Sequence, residues 1–493
     1  MKSNTLKLFC LTLSASILSQ NLKAQSSIDI GKFGQTASFA TARSVGFGGA
    51  LGSVGGDFAS LSVNPAGIGI YRSSEFMVTP GFRFSGSKSN YSGGTFDDNN
   101  ARFGFNNIGM VFTGTPSAKN YDKSDWKSGS FGIGINRIAD FSRTYNYNGK
   151  SNTSTGSFLF EQDALSDNTT IDRQGTLGYL GYQSYLLDNN LYSTVPFWKG
   201  VNQENFVQEK GGITEFVISG GGNYKDKLMV GATLGINSLN HRINSTFSEE
   251  TATIDPTDSF DNYSYNQNIK VNGAGINLKL GAIYKFNDYF RAGFSFHSPT
   301  LYSLTEVYNA DIKTNSDKLN GVTAVVPPEN QFDYTVITPL KLVASATGML
   351  GKYGFVSLDY EYVNYSGMRF RYDPAFIVEE RYINADVKAL YQNASNIRAG
   401  LELKFDQLLL RAGYGYYGSP YKNKLYQSDR NNISFGVGYR FGKTFVDIGI
   451  INSAYTTYEK PYEIQDWKGY TAAPTATIKN NLTTGVFTVG WKF

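Results

Sequence analysis

Apolar and polar residues alternate with a period of two in many segments of this chain. The last segment is a clear case, because its alternate residues are apolar, namely Phe487, Val489, Trp491 and Phe493. The residues between them are Thr488, Gly490 and Lys492. This pattern predicts β-strands that have one apolar face and one small or polar face.

Fourteen such segments can be counted along the chain. Tight turns such as 225–227, 287–288, 351–353, 406–407 and 442–443 alternate with long connections, and the turn at 116–127 is the one exception in length. Short periplasmic turns and long outer loops are typical of outer-membrane barrels. We therefore predict an all-β fold, a 14-stranded antiparallel transmembrane β-barrel, with its longest outer loop from about Tyr145 to Gly211. The predicted strands are 74–86, 102–115, 128–140, 212–223, 228–244, 267–286, 289–300, 332–349, 354–366, 392–405, 408–417, 431–441, 444–455 and 480–493.

Composition supports a membrane barrel over a soluble protein. The mean hydropathy is −0.30. Beyond the N-terminal segment, no apolar run approaches the roughly 18 residues that a membrane-spanning helix requires. Aromatic residues nevertheless make up 15% of the chain and 53 residues are glycine. Girdles of aromatic side chains at both membrane interfaces account for such a composition.

The N-terminal residues 1–24 have the features of a secretory signal peptide. Lys2 and Lys7 precede and border an apolar run, and the segment closes at Ala24. Cleavage there would remove Cys10, the only cysteine, so we expect no disulfide. It would also remove three lysines, which lowers Lys+Arg from 45 to 42 against 41 acidic residues. A net charge of about +1 gives no reason to expect nucleic-acid binding.

A glycine-rich stretch from Arg43 to Tyr71 follows and ends in Asn64-Pro65-Ala66-Gly67. Its glycines allow tight turns and close backbone contacts. The spacing of Gly46 and Gly48 approaches a dinucleotide-binding fingerprint. That fingerprint requires a strand before it and a helix after it, and neither is expected here.

The same stretch resembles the N-terminal hatch of the FadL-type family of outer-membrane transporters for long-chain fatty acids and other hydrophobic compounds. The resemblance rests on Ala42, Arg43, Gly46, Gly48, Gly49, Ala50, Asp57, Asn64, Pro65, Ala66 and Gly67. Later strand segments resemble the family in the expected order, namely 291–299, Thr338-Pro339, 358–360, 411–414 and Ser419-Pro420. The resemblance thus covers nearly the whole mature chain, although the long loop departs from the better-known members.

The resemblance implies three parts: a signal peptide at 1–24, a hatch or plug at 25–72, and a barrel at 73–493. It also implies a monomer that admits a hydrophobic small molecule passively, without a cofactor, through an outer groove, an internal pocket and the hatch or a gap in the wall. Expected partners are outer-membrane lipid, lipopolysaccharide and the barrel assembly machinery, which recognises the C-terminal aromatic residue. The hatch residues expected to serve this site are Phe33, Phe58, Asn64, Pro65 and Ala66.

The long outer loop contains a second candidate site. Leu180 follows Leu177 by three residues, and Tyr182 and Leu186 follow Tyr179 by three and seven, as in an amphipathic helix. The candidate residues here are Leu177, Tyr179, Tyr182 and Leu186. Such a stripe is commonly a packing surface. It can also form an exposed apolar patch that binds a hydrophobic ligand first.

Few residues offer catalytic or metal chemistry, so we expect neither an enzyme nor a metal site. The two histidines, His241 and His297, are far apart in the sequence, and His297 and Ser298 should point to opposite faces of one strand. Asp97 and Asp98 are expected in an outer loop, where they solvate it or bind a cation that bridges lipopolysaccharide.

Three other functions stay open from the sequence. A haem receptor would need His241 or His297 as an axial ligand. A scaffold or shuttle for secreted proteins would need partner chains. A general porin would need an open charged constriction instead of a glycine-rich plug.

Overall fold

The computed structural model describes residues 29–35, 40–166, 170–252, 260–316, 321–464 and 471–493. The predicted signal peptide lies outside these residues. The helices are α1 (Asp29–Gly34), α2 (Ala42–Gly46), α3 (Ser60–Val63), α4 (Ala118–Tyr121), α5 (Ser157–Ser166), α6 (Leu177–Gln183) and α7 (Ile377–Leu390). The 3-10 helices are Pro65–Ile70, Thr170–Asp172, Phe197–Lys199, Gly351–Tyr353, Tyr365–Gly367 and Pro374–Phe376.

The strands form one closed antiparallel sheet. They are β1 (Glu75–Tyr91), β2 (Gly94–Gly114), β3 (Trp126–Asp140), β4 (Arg143–Ser151), β5 (Val201–Tyr224), β6 (Leu228–Thr251), β7 (Asn262–Lys285), β8 (Phe290–His297), β9 (Leu301–Ser316), β10 (Gly321–Val325), β11 (Asn330–Ile337), β12 (Lys341–Met349), β13 (Gly354–Val363), β14 (Arg369–Arg371), β15 (Ala394–Phe405), β16 (Leu408–Tyr417), β17 (Arg430–Phe441), β18 (Thr444–Glu459) and β19 (Ala476–Lys492). Pairing of β1 with both β2 and β19 closes the barrel.

The predicted count of fourteen strands is confirmed. Four consecutive pairs are two parts of one interrupted strand, namely β3 with β4, β8 with β9, β11 with β12, and β13 with β14. In the described chain β10 pairs only with the outer end of β9, so it does not span the wall. Prolines lie at two of the interruptions, at Pro299 and Pro339, where the missing N–H cannot join a ladder.

The faces of the strands are also as predicted. In β19 the side chains of Phe487, Val489 and Trp491 are 40%, 41% and 53% exposed, and Phe493 after it is 44% exposed. These residues face outward, where a lipid bilayer would cover them. No helix among the described residues is both long and apolar enough to cross a membrane.

The predicted outer loops are wrong in extent at several places, because strands occupy residues that were expected in loops, as at 245–251, 262–266 and 301–316. Asp97 and Asp98 lie in β2, paired with Lys88 and Ser87, and the chain turns at Ser92-Gly93. The loop expected from 145 to 211 is shorter, since β4 and the start of β5 occupy both of its ends. The hydrogen-bond ladder of β1 and β2 thus continues through residues such as Asp97 and Asp98, which show no apolar alternation.

Residues 40–71, which we call the plug, lie inside the barrel. Helix α2 contacts β16 to β19, and the 3-10 helix Pro65–Ile70 contacts β5, β6 and β7 on another part of the wall. Nearly every plug residue is buried. The plug therefore fills the lumen from wall to wall.

Candidate functional site

Asn64 ties the plug to itself and to the wall. Its side-chain oxygen accepts a hydrogen bond from the backbone N of Ala66 at 3.1 Å, which caps the 3-10 helix that Pro65 begins. Its Nδ2 donates to the carbonyl oxygen of Gly52 at 2.6 Å and also approaches two wall carbonyls, of Ala282 and Phe294, at 3.3 and 3.4 Å. A Cβ on Gly281 would lie 1.9 Å from the Asn64 oxygen, so the wall needs glycine there.

Phe58 fills a niche that glycines open in the wall. Its ring is fully buried, and a Cβ on Gly109 or on Gly134 would lie 2.5 or 2.6 Å from it. Leu61, Ile68 and the wall residues Met77, Val111 and Val217 belong to the same apolar cluster. Phe58 is therefore a packing residue of the plug.

An ionic network holds the opposite side of the plug. The Arg43 guanidinium binds Glu402 of β15 through Nε at 3.0 Å and Nη2 at 3.3 Å. Its Nη1 donates to the carbonyl oxygen of Gly56 at 3.0 Å. Glu402 also accepts from Arg411 at 2.6 Å, and Arg411 binds Asp447 at 2.6 Å. Arg43 thus links the plug backbone to a buried chain of wall charges.

Asp57 is the acidic residue of the plug. Its carboxylate accepts hydrogen bonds from Thr41 Oγ1 at 2.8 Å and from the backbone N of Ala59 at 2.8 Å. Burial raises the pKa of Asp57 above its usual range, although the charge of Arg43 and the Thr41 hydroxyl oppose this effect.

Phe33 belongs to α1, which lies above the plug. Phe33 and Ile30 are 2% and 0% exposed and enter a large apolar cluster of wall and loop residues. Lys32 pairs with Glu209 at 3.2 Å, and the N–H of Gly31 donates to the Tyr391 hydroxyl at 3.1 Å. The helix therefore occupies an apolar site in the upper lumen.

A cavity of about 970 Å³ opens above α1. Pockets of this size accommodate small organic ligands. Its charged lining is Lys32, Arg83, Arg137, Arg143, Arg430, Lys460, Asp140, Glu209, Glu459 and Glu463. Its apolar and aromatic lining includes Phe141, Tyr145, Leu159, Phe160, Val207, Ile243, Phe247, Tyr265, Ile269, Leu425 and Tyr426.

None of the nine residues singled out from the sequence lines this cavity. Alternation along the strands could have indicated some of the residues that do. Arg83 lies between Phe82 and Phe84, which face outward, so its own side chain must face the lumen. The apolar run at Phe158 to Phe160 was a comparable signal in the long loop.

The predicted loop helix exists as α6, but it ends at Gln183, and Tyr185 has a positive φ of 61°. Leu186 is fully buried in the loop core with Leu180 and Phe160, and Leu177 packs against the same cluster. Tyr179 and Tyr182 are partly exposed. The leucines of the stripe thus pack the loop, whereas the two tyrosines reach its surface.

The barrel wall contains a seam where backbone pairing stops. β2 pairs with β3 only from Asn107–Asn136 to Gly114–Gly129. Above this level β4 pairs with β5 but forms no described ladder with β2. Strand β4 runs across the inner face of the β1–β2 hairpin. There Ser87 Oγ donates to the carbonyl oxygen of Thr144 in β4 at 2.8 Å.

Polar contacts bridge this seam. Arg102 donates to Ser142 Oγ at 2.7 Å, and Asn100 donates to Thr144 Oγ1 at 3.4 Å. The backbone N of Asn146 donates to Asp98 at 2.6 Å. Arg83, Asn106 and Arg137 to Ser142 also line the large cavity, so the seam lies between that cavity and the outside of the wall.

The two histidines have separate environments. His241 Nε2 lies 3.2 Å from Glu209, and His297 Nε2 lies 2.7 Å from the carbonyl oxygen of Val63 and 2.8 Å from Ser295 Oγ. Ser295 and His297 are both buried, and both contact the carbonyl oxygen of Val63 in the plug. Among the described residues no cluster of three His, Cys, Asp or Glu side chains could hold a metal ion.

The chain resembles solved outer-membrane proteins over most of its length. A FadL homologue from Pseudomonas aeruginosa is 14% identical, with a TM-score of 0.55 and coverage of 93% of this chain and 98% of that one. The toluene transporter TodX from Pseudomonas putida is 13% identical, with a TM-score of 0.51 and coverage of 92% and 98%. At such identities these likenesses establish the fold alone. No curated protein sequence matches the chain significantly.

The family model described as "Outer membrane protein transport protein (OMPP1/FadL/TodX)" matches residues 208–483. The match covers more than half of the 493 residues and lies within the barrel. The chain therefore belongs to this family of outer-membrane transport proteins.

Proposed function

We propose that this protein lets a hydrophobic small molecule, such as a long-chain fatty acid or an aromatic compound, cross the outer membrane without an energy source or a catalytic step. The observation that supports this most is the large, partly apolar cavity above a tightly packed plug. A porin would need an open polar lumen in place of the plug.

We infer that the ligand leaves the cavity sideways, through the seam between β2 and the β3–β4 pair. The axial route is filled by the plug and its ionic network. Lining residues of the cavity reach the seam, which has no backbone ladder to break. Outside the seam, Phe82, Phe103 and Phe105 are 55%, 53% and 55% exposed, so a hydrophobic ligand would pass directly into lipid.

Capture is assigned to the long outer loop. Tyr179 and Tyr182 of α6 are partly exposed there, and Trp198, at 65% exposure, offers a larger aromatic surface nearby in the sequence. A ligand that lands on this surface would enter the cavity past Leu159 and Phe160 of α5, which line it.

The finer points of location and assembly are part of the same proposal. Residues 1–24 direct export and are cleaved near Ala24, and residues 25–72 act as the hatch. Phe493 is read by the barrel assembly machinery, and the outer strand ends contact lipopolysaccharide around a monomeric barrel.

Uptake of a fluorescent hydrophobic probe into proteoliposomes tests the proposal. Ile269→Asn places an amide on the cavity wall, and we expect probe affinity to fall about tenfold, since burying one such side chain is worth about 1.5 kcal/mol. Val322→Asn, at a 66% exposed position on β10, is the matched control. Equal uptake by empty liposomes, or equal affinity in both variants, would rule out transport through this cavity.

A further inference from the structure

Three arginines meet at the seam around a single carboxylate. Arg83 Nη1 lies 3.2 Å from Asp140 Oδ1, and Arg137 Nη2 lies 3.4 Å from Asp140 Oδ2. Arg102 binds the hydroxyl of Ser142, whose own backbone N donates to Asp140 at 2.9 Å. The side chains of β1, β2 and β3 thus converge on one short segment at the wall interruption.

The cluster carries surplus positive charge. Arg83 and Arg102 are direct cross-strand partners, an arrangement that destabilises a sheet when nothing compensates it. Asp140 is the single acidic side chain that pairs with this cluster in the described chain. Two positive charges therefore stay unmatched.

Two other acidic residues of the cavity already have cationic partners. Glu209 pairs with Lys32 at 3.2 Å and with Arg143 at 2.6 Å, and Glu459 pairs with Arg143 at 3.1 Å. The whole cavity lining has six cationic and four anionic side chains, a difference of two positive charges. The excess is therefore not cancelled by its surroundings.

The cluster also lies between the cavity and an aromatic outer surface. The polar head and the apolar tail of an amphiphile would separate at such a boundary. Its inner side is the large cavity, which Arg83 and Arg137 line. On the outer side of the same strands, Phe82 and Phe103 pack with ring centroids 5.0 Å apart, and Phe105 lies 5.7 Å from Phe103. Arg102 is exposed, so it can meet a ligand in the opening.

We propose that Arg83, Arg102 and Arg137 form an oxyanion site that selects long-chain amphiphiles with a carboxylate or phosphate head over neutral hydrophobic compounds. The inference rests on the proposed lateral exit. Guanidinium groups bind such heads through paired N–H donors, and an incoming oxyanion would supply the charge that the cluster lacks. The tail would meanwhile lie along the aromatic outer surface.

An oxyanion head could come from the transported amphiphile or from a phosphate of a resident membrane lipid, and we assign it to the transported amphiphile. The test compares uptake of palmitate and methyl palmitate, which share a tail and differ in head charge, at a pH at which palmitate is ionised. Proteoliposomes are prepared once from phosphatidylcholine alone and once with lipopolysaccharide added.

In phosphatidylcholine, wild-type protein should favour palmitate over its ester by about tenfold, the size of a charge-assisted hydrogen bond. Arg102→Gln should abolish the preference, read as the ratio of palmitate uptake to ester uptake by the same variant. Arg102→Lys should keep part of the preference for palmitate, because the positive charge remains. The rest should be lost, because lysine lacks the paired N–H donors of the guanidinium group. Arg371→Gln, at an exposed arginine of β14, is the matched control and should keep the full preference.

Equal preference in wild type and Arg102→Gln, with both barrels shown to be folded by heat modifiability, would overturn the oxyanion site and leave the transport proposal standing. A preference that is absent in phosphatidylcholine, together with Arg102-dependent retention of lipopolysaccharide, would assign the site to a resident lipid instead and overturn our assignment. Failure of both probes to enter faster than into empty liposomes would count against transport itself.

Discussion

The plug and the seam are both barriers in this barrel, but different forces hold them. The plug is buried and is joined to the wall by an asparagine amide, a fitted phenylalanine ring and a buried arginine network. The seam is bridged mainly by side chains, among them Arg102 to Ser142 and Asn100 to Thr144. Because a few part-buried hydrogen bonds open at less cost than a packed core, the seam is the easier barrier to open.

Closing the seam should have the largest effect on uptake. In a chain whose only natural cysteine is Cys10, Asn100→Cys with Thr144→Cys permits cross-linking across the seam by a short bifunctional reagent. We expect cross-linked protein to lose nearly all uptake of a hydrophobic probe. Asn452→Cys with Thr483→Cys joins strands that are already paired and should leave uptake intact. Uptake that survives the first cross-link would place the exit elsewhere.

Loosening the plug should increase leakage instead. Arg43→Ala leaves the buried Glu402 without one of its two arginine partners, and breaking such a pair costs about 3 kcal/mol. Leakage of a small polar dye from proteoliposomes should rise while the folded barrel yield stays normal. Arg72→Ala is the control, since its pair with Asp226 is exposed and should contribute little. Similar leakage in both variants would mean that Arg43 does not hold the plug.

A smaller increase in dye leakage is expected from substitutions in the plug turn at Asn64 and Pro65. Asn64→Ala removes the cap and leaves the Gly52 carbonyl without its amide donor, at a cost of about 2 kcal/mol. Combined with Pro65→Ala, it should raise dye leakage, but less than Arg43→Ala. Asn90→Ala, at an exposed position of β1, serves as control. If the double variant matches wild type in leakage and uptake, the segment is not a working hatch.

The smallest expected effect is a dependence of plug stability, and hence of dye leakage, on pH. Because burial raises the pKa of Asp57, the folded plug binds that proton more tightly than the loosened plug does. Its stability should therefore fall as pH rises from the ordinary carboxyl range through the raised pKa, and stay constant above it. Dye leakage by wild type should rise over that interval, and Asp57→Asn should remove this step. An identical pH profile in the two proteins would contradict the assignment to Asp57.

The sequence predicted the wall better than the openings in it. Alternation such as that of Phe487, Val489 and Trp491 reports which face meets lipid, so strand number and direction followed from it. It does not report whether two neighbouring strands stay paired along their whole length, so the seam above Asn107 could not be foreseen. The outer strand ends were missed because residues such as Asp97 and Asp98 lack an apolar face there.

The site residues also differ in how well the sequence predicted them. Asn64 and Pro65 were singled out because a turn and its cap are local features, and the structure places both in such a turn. The cavity is assembled from distant segments, for example Phe160, Tyr265 and Tyr426, so no local pattern could bring them together. Alternation along β1 indicates that Arg83 faces the lumen. Its proximity to Arg102 and Arg137 depends on strand register, which alternation does not report.

Photo-cross-linking of a hydrophobic probe tests the lateral route most directly. A diazirine-bearing palmitate is bound to the folded barrel in lipid, illuminated, and located by peptide mass spectrometry. We expect label on cavity residues and on the two seam edges, near 100–106 and 137–144. Label concentrated instead on plug residues 52–66 would show an axial path and contradict a lateral exit.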